Sequence, residues 1–263
     1  MPGKTLIRAE NLELSYGDRT ALVSSSFEIP AGSVTAIIGP NGAGKSTLLG
    51  AIAGLIEPTS GSLIMPSLGP AGIAYVLQST KLNELTPITV HEAVGMGRYA
   101  QLGFFHRFQP RDRLACQRAM ERLGIRDLAD RHLSELSGGQ RQRVFVAQGL
   151  AQEASLLLLD EPITGLDLVS REYILEAIEA ERAAGNTVIG TTHSLDEADM
   201  ADHVILLAGR VVASGTPDEV LTAESLSIAY GHPMSTTDEG HVLHDDPHHR
   251  PVDARHIHFE RKP

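Results

Sequence analysis

The sequence predicts an α/β fold: a parallel sheet core, an antiparallel β element at its N-terminal end and a helical insertion in the middle. Three observations carry this. Val34-Thr35-Ala36-Ile37-Ile38 and Leu156-Leu157-Leu158-Leu159 are short, fully apolar or β-branched runs of the kind buried on both faces of a sheet. Such strands alternate with amphipathic helical stretches at both ends of the chain. Between them, residues 83 to 151 hold helical patterns and no strand.

In chain order, Leu6 to Ser15 and Ala21 to Ile29 alternate like half-buried strands, with Tyr16-Gly17-Asp18 as the turn between them. Val34 to Ile38 runs into a glycine-rich stretch, and from Lys45 to Ala53 the apolar spacing becomes helical. Ile73 to Leu77 reads as a strand. Val90 to Met96, Arg111 to Leu123 and Asp127 to His132 read as helices, and a further helix runs from Gln140 to Ala151. After Leu156 to Leu159 comes an amphipathic helix, Tyr173 to Ala184, ended by Gly185-Asn186. Thr187 to Thr191 is a strand, and His203 to Ala208 with Val211 to Ser214 forms a hairpin across Gly209-Arg210.

Composition narrows the function classes. The chain has 263 residues, 42% of them apolar and 21% charged, which suits a globular domain with a proper core. No apolar run reaches the roughly 18 residues needed to cross a bilayer. The start lacks the apolar region of a secretory signal, and the single cysteine, Cys116, fits a reducing compartment, so a cytoplasmic location is expected. A net charge of −11 does not favour a nucleic-acid partner.

Gly39-Pro40-Asn41-Gly42-Ala43-Gly44-Lys45-Ser46-Thr47 fits the phosphate-binding pattern G-x-x-x-x-G-K-[ST], placed where a strand hands over to a helix. A glycine-rich turn lets successive backbone N–H groups face a polyphosphate, and the following helix adds its positive end. Lys45 can reach the β and γ phosphates and Ser46 can ligate Mg²⁺. Leu156 to Leu159 ends in Asp160-Glu161. Adjacent side chains at a strand end point to opposite sides, so the two carboxylates can take different tasks. Asp160 suits the Mg²⁺ site, and Glu161 the orientation or deprotonation of attacking water.

Leu136-Ser137-Gly138-Gly139-Gln140, upstream of Asp160, resembles the signature of ATP-binding cassette (ABC) ATPases. The order of motifs matches that family along residues 4 to 230, with a helical subdomain at about 83–151. The resemblance implies the ABC ATPase fold, ATP and Mg²⁺ as ligands, and ATP hydrolysis. It implies adenine stacking at Tyr16, which could otherwise simply pack a hairpin turn. It also implies a Mg²⁺-linked glutamine at Gln78, an interface aspartate at Asp167 in Thr164-Gly165-Leu166-Asp167, and a γ-phosphate histidine at His193.

Ser137, Gly138 and Gly139 would present N–H groups as a second anion site at a helix start. The resemblance implies a head-to-tail homodimer in which this signature caps ATP held by the other subunit. With no membrane span in the chain, transport would require an integral membrane permease, docked near Leu82 to Phe108. Tyr99, Phe104, Phe105 and Phe108 lie there, as interface aromatics or as helix-packing core. Met96-Gly97-Arg98-Tyr99 and its continuation most resemble ATPases of manganese and zinc importers, with iron-chelate importers as neighbours. The expectation is a metal-importer ATPase on the cytoplasmic face of the membrane, served by an extracytoplasmic metal-binding protein. A soluble non-transport ABC ATPase is the more distant alternative.

Seven of the 12 histidines fall within residues 232–263, together with six acidic residues. This stretch reads as a tail without a core of its own, apart from weak alternation at Ala254 to Phe259. His241, His244, His248 and His249 could bind zinc, since imidazole suits borderline metals. The other reading is a solubilising segment.

Overall fold

The computed structural model describes residues 4–17, 19–66, 68, 72–77, 87–99, 107–231, 236–237 and 240–241. Two sheets organise the described residues. Strands β1 (Thr5–Tyr16), β2 (Arg19–Pro30) and β4 (Ser60–Ile64) form an antiparallel sheet in the order β2-β1-β4. The second sheet has six strands in the order β5-β6-β7-β3-β8-β9. In it, β3 (Val34–Ile38), β5 (Ile73–Val76), β6 (Leu156–Leu159), β7 (Thr187–Thr192) and β8 (His203–Leu207) are parallel. The last strand, β9 (Val211–Gly215), returns antiparallel beside β8. All four residues of β6 are buried, as expected for a strand covered on both faces.

Three apolar cores hold the layers. One lies where the antiparallel sheet and helix α1 (Lys45–Ile52) cover one face of the larger sheet, through Leu12, Phe27, Leu48, Leu156 and Ile205. A second joins the other face to the helical block: α2 (Val90–Met96), α3 (Pro110–Arg122), α4 (Gly138–Ala151) and α5 (Leu168–Ala183). The third packs α6 (Leu195–Asp199), α7 (Pro217–Val220) and α8 (Ala223–Tyr230) around Ile38 and Leu206. Among the described residues, no helix is long and apolar enough to cross a membrane.

The differences from the sequence reading have local causes. Asp127 to His132 is not one helix. A 3-10 turn covers Arg126–Leu128 and another Leu133–Glu135, while Thr89 and His132 form an isolated bridge that interrupts the helical block. Helix α5 starts at Leu168, five residues before the periodicity shows it. Asp167 caps it, and its first residues, Leu168 and Val169, are exposed apolar side chains that break the amphipathic pattern. Strand β4 and helices α6 to α8 are short and lack strong periodicity, so the sequence reading passes over them. Within the tail, Thr236–Thr237 and Gly240–His241 pair as two short antiparallel strands, β10 and β11. Ala254 to Phe259 lies outside the described residues.

The helical block is fastened by a buried ion cluster. Arg98 donates to Asp112 at 3.1 Å, to the Ala151 carbonyl at 2.8 Å and to Glu153 at 2.8 Å, with Arg98 and Asp112 almost fully buried. One guanidinium thus ties the end of α2, the start of α3 and the end of α4. Asp112 also accepts the Gln109 N–H at 2.8 Å, which caps α3.

Candidate active site

The phosphate-binding loop bridges β3 and α1. Gly44, the N-cap of α1, has φ +99°, and a β-carbon there would stand 2.7 Å from the Ala21 carbonyl oxygen, so glycine is required on both counts. Lys45 is buried, and its ammonium donates to the carbonyls of Gly39 at 2.7 Å and Pro40 at 3.2 Å. The lysine therefore folds back into its own loop, where phosphate oxygens can replace those carbonyls.

Sheet register brings the other groups alongside. Strands β6 and β7 pair as Leu159 with Gly190, and β3 pairs with β7 as Ile38 with Thr192. Asp160, Thr191, His193 and the first loop glycine, Gly39, consequently gather at adjacent C-terminal strand ends, the usual ligand edge of a parallel sheet. Asp160 is buried, and its Oδ1 accepts the Ser46 hydroxyl at 3.1 Å and the Thr191 hydroxyl at 2.7 Å. Glu161 follows at φ +47°, a left-handed conformation that costs a side-chain-bearing residue roughly 1–2 kcal/mol. Its N–H donates to the Thr191 Oγ1 at 2.8 Å. His193 is exposed beyond the end of β7.

The hydroxyl of Ser46 and the carboxylate of Asp160 are the hard oxygen donors that suit Mg²⁺, already within hydrogen-bond distance of each other. This donor set fits that ion.

The signature occupies a different place. Ser137 caps α4 reciprocally: its hydroxyl accepts the Gln140 N–H at 3.2 Å, and its own N–H donates to Gln140 Oε1 at 2.9 Å. Because the Ser137 amide is engaged there, the helix tip offers the Gly138 and Gly139 amides to an anion. Gly139 is buried against the start of α5, where a β-carbon would lie 2.5 Å from both Asp167 Oδ2 and Ser170 Oγ. Asp167 accepts the Ser170 N–H at 2.9 Å and its hydroxyl at 2.8 Å. The backbone bond, then the hydroxyl bond, hold its carboxyl below the usual aspartate range.

Several expected residues are placed only in part. Tyr16 ends β1, its backbone paired with Arg19, and its side chain lies outside the description. Gln78, just beyond β5, lies outside the described residues, as do Phe104, Phe105, His244, His248 and His249. His241 is described only as backbone of β11. Of the candidate docking aromatics, Tyr99 is 65% exposed, whereas Phe108 packs against the helical core. Among the described residues, no cluster of three or more His, Cys, Asp or Glu could hold a metal ion.

Sequence reasoning misses Thr191. A threonine two residues before a histidine carries no signal of its own. Only the β6–β7 register sets it beside Asp160.

Comparison with known proteins agrees with this geometry. The ABC transporter family profile matches residues 22–164. The chain is 41% identical over 235 residues to the ferric enterobactin transport ATP-binding protein FepC of Escherichia coli, covering 86% of this chain and 87% of that one. It is 39% identical over 236 residues to the zinc transport system ATP-binding protein TroB of Treponema pallidum, covering 88% and 89%. Among solved structures, the ADP conformation of MJ1267, an ATP-binding cassette of an ABC transporter, superposes with a TM-score of 0.73 at 26% identity, covering 86% of this chain and 98% of that one. The phosphate loop, the acid pair at the end of β6, the capped signature helix and these relatives lead to one assignment: the chain belongs to the ABC transporter family, as an ATP-binding and ATP-hydrolysing cassette.

Proposed function

We propose that this chain is the ATPase subunit of an importer for a divalent transition metal, zinc or manganese. In this reading it works at the cytoplasmic face of the membrane as one half of a homodimer. Its partners there are an integral membrane permease and an extracytoplasmic metal-binding protein. The observation that carries the catalytic part is the Ser46–Asp160 contact, which brings the start of α1, with Lys45, to the end of β6, with Glu161. The kinship with the zinc protein supports the substrate class.

Lys45 exchanges its loop carbonyls for β- and γ-phosphate oxygens when ATP enters. Ser46 and Asp160, with Gln78, are the residues that would hold Mg²⁺, which when bound neutralises phosphate charge. Glu161 orients the attacking water and takes its proton. His193 reaches the γ-phosphate from the end of β7, and Tyr16 stacks on the base. The Gly138 and Gly139 amides close on the γ-phosphate of ATP held by the partner subunit, so ATP joins two donor clusters that would otherwise repel. Asp167 lies at that interface. The exposure of Tyr99 and Met96 supports a permease-facing surface at the end of α2.

The 41% identity to a ferric enterobactin protein favours a second reading, an iron-chelate importer. Uptake in cells lacking this chain separates the two. Loss of zinc or manganese uptake with intact ferric-chelate uptake is expected. Loss of ferric-chelate uptake alone would establish the second reading.

A further inference from the structure

We propose that Thr191 is a positioning residue for ATP hydrolysis, one that fixes the carboxylate of Asp160 and the backbone of Glu161 through a single hydroxyl. This rests on the reading of Glu161 as the residue that activates water. Thr191 is the penultimate residue of β7 and is 1% exposed, so water does not compete for its hydroxyl. A hydroxyl has one proton to give. Here it goes to Asp160 Oδ1 at 2.7 Å, and a lone pair on the same oxygen takes the Glu161 N–H at 2.8 Å. Both bonds of this hydroxyl are therefore committed, and its direction is set.

The same Oδ1 accepts Ser46 from α1, so Asp160 is held from two elements at once. Glu161 needs such a hold. It sits at φ +47° and precedes Pro162, whose ring narrows the conformations open to it. Without a partner for its N–H, the backbone can relax toward ordinary angles and redirect the carboxylate. Threonine suits the task because branching at the β-carbon restricts its side-chain rotation on a strand. Thr191 touches no reacting atom in this arrangement. It acts through its two acidic neighbours.

The test uses the full-length chain with Thr191→Val, Thr191→Ser and Glu161→Gln, measuring kcat and KM for ATP at saturating Mg²⁺. It adds residue-resolved hydrogen exchange of the Glu161 amide without nucleotide or metal. Thr191→Val should lower kcat by ~10- to 100-fold, with KM for ATP within about twofold. Thr191→Ser should keep most of the turnover. The Glu161 amide should exchange faster in the valine variant and at the normal rate in the serine one. Thr191→Ala, with the same expected results, replaces valine if that variant does not fold. Normal kcat and normal Glu161 protection in Thr191→Val would overturn the inference while leaving the role of Glu161 standing. So would a serine variant as impaired as valine. Full turnover by Glu161→Gln would remove the premise itself.

Discussion

Gly139 and Asp167 are packed so closely that the second signature glycine has no room for a side chain: a β-carbon at Gly139 would stand 2.5 Å from Asp167 Oδ2. The start of the signature helix and the segment after the acid pair are therefore packed directly against each other. Gly139→Ala should push Asp167 and Ser170 aside while leaving the phosphate loop untouched. Fluorescent-nucleotide binding to the chain should be unchanged, and steady-state ATP turnover should fall by ~tenfold or more.

The Arg98 cluster makes a separate prediction about stability. Removing the guanidinium leaves Asp112 buried without its cation, and breaking a buried pair in this way costs about 3–5 kcal/mol. Arg98→Ala should lower the urea midpoint accordingly, whereas Arg182→Ala, which breaks an exposed pair with Glu179, should leave it nearly unchanged.

Asp112 also governs the acid limb. The Gln109 N–H, with Arg98 behind it, holds its carboxyl below the ordinary aspartate value of 3.8. A carboxylate lowered on folding contributes stability that is fully present above that value and is lost as pH falls through the lowered one. Unfolding free energy measured from pH 6 downward should therefore fall less steeply near and below pH 4 in Asp112→Asn, even though that variant is less stable at neutral pH.

Much of the candidate nucleotide site is legible in the sequence because its residues lie close together along the chain. Gly39 to Thr47 are one continuous stretch that passes from loop into the start of α1, and Leu156 to Glu161 combine a strand with the acids at its tip. The parts that escaped depend on distance along the chain. Arg98 meets Asp112, 14 residues on, and Glu153, 55 residues on, and no periodicity links them. Thr191 lies 31 residues from Asp160, and its role appears only once β6 and β7 are in register. The start of α5 was hidden because exposed Leu168 and Val169 interrupt its polar face. From the sequence, Ser137, Gly138 and Gly139 all offer amides to a second anion. The Gln140 side chain folds back onto the first of them, a reciprocal cap the S-x-x-Q spacing could have signalled.

The histidine-rich tail makes a prediction of its own. If His241, His244, His248 and His249 form a zinc site, calorimetric titration of the full chain should show a binding step that is missing from a chain ending at residue 231. Equal isotherms for the two would leave the tail as a solubilising segment.

Sedimentation of Glu161→Gln with and without MgATP tests most directly the claim that two chains share each nucleotide. The variant should keep its ATP, fail to turn it over, and run as a dimer with nucleotide and a monomer without. A protein that stays monomeric at saturating ATP, while the wild-type chain hydrolyses at full rate in the same monomeric state, would contradict the account.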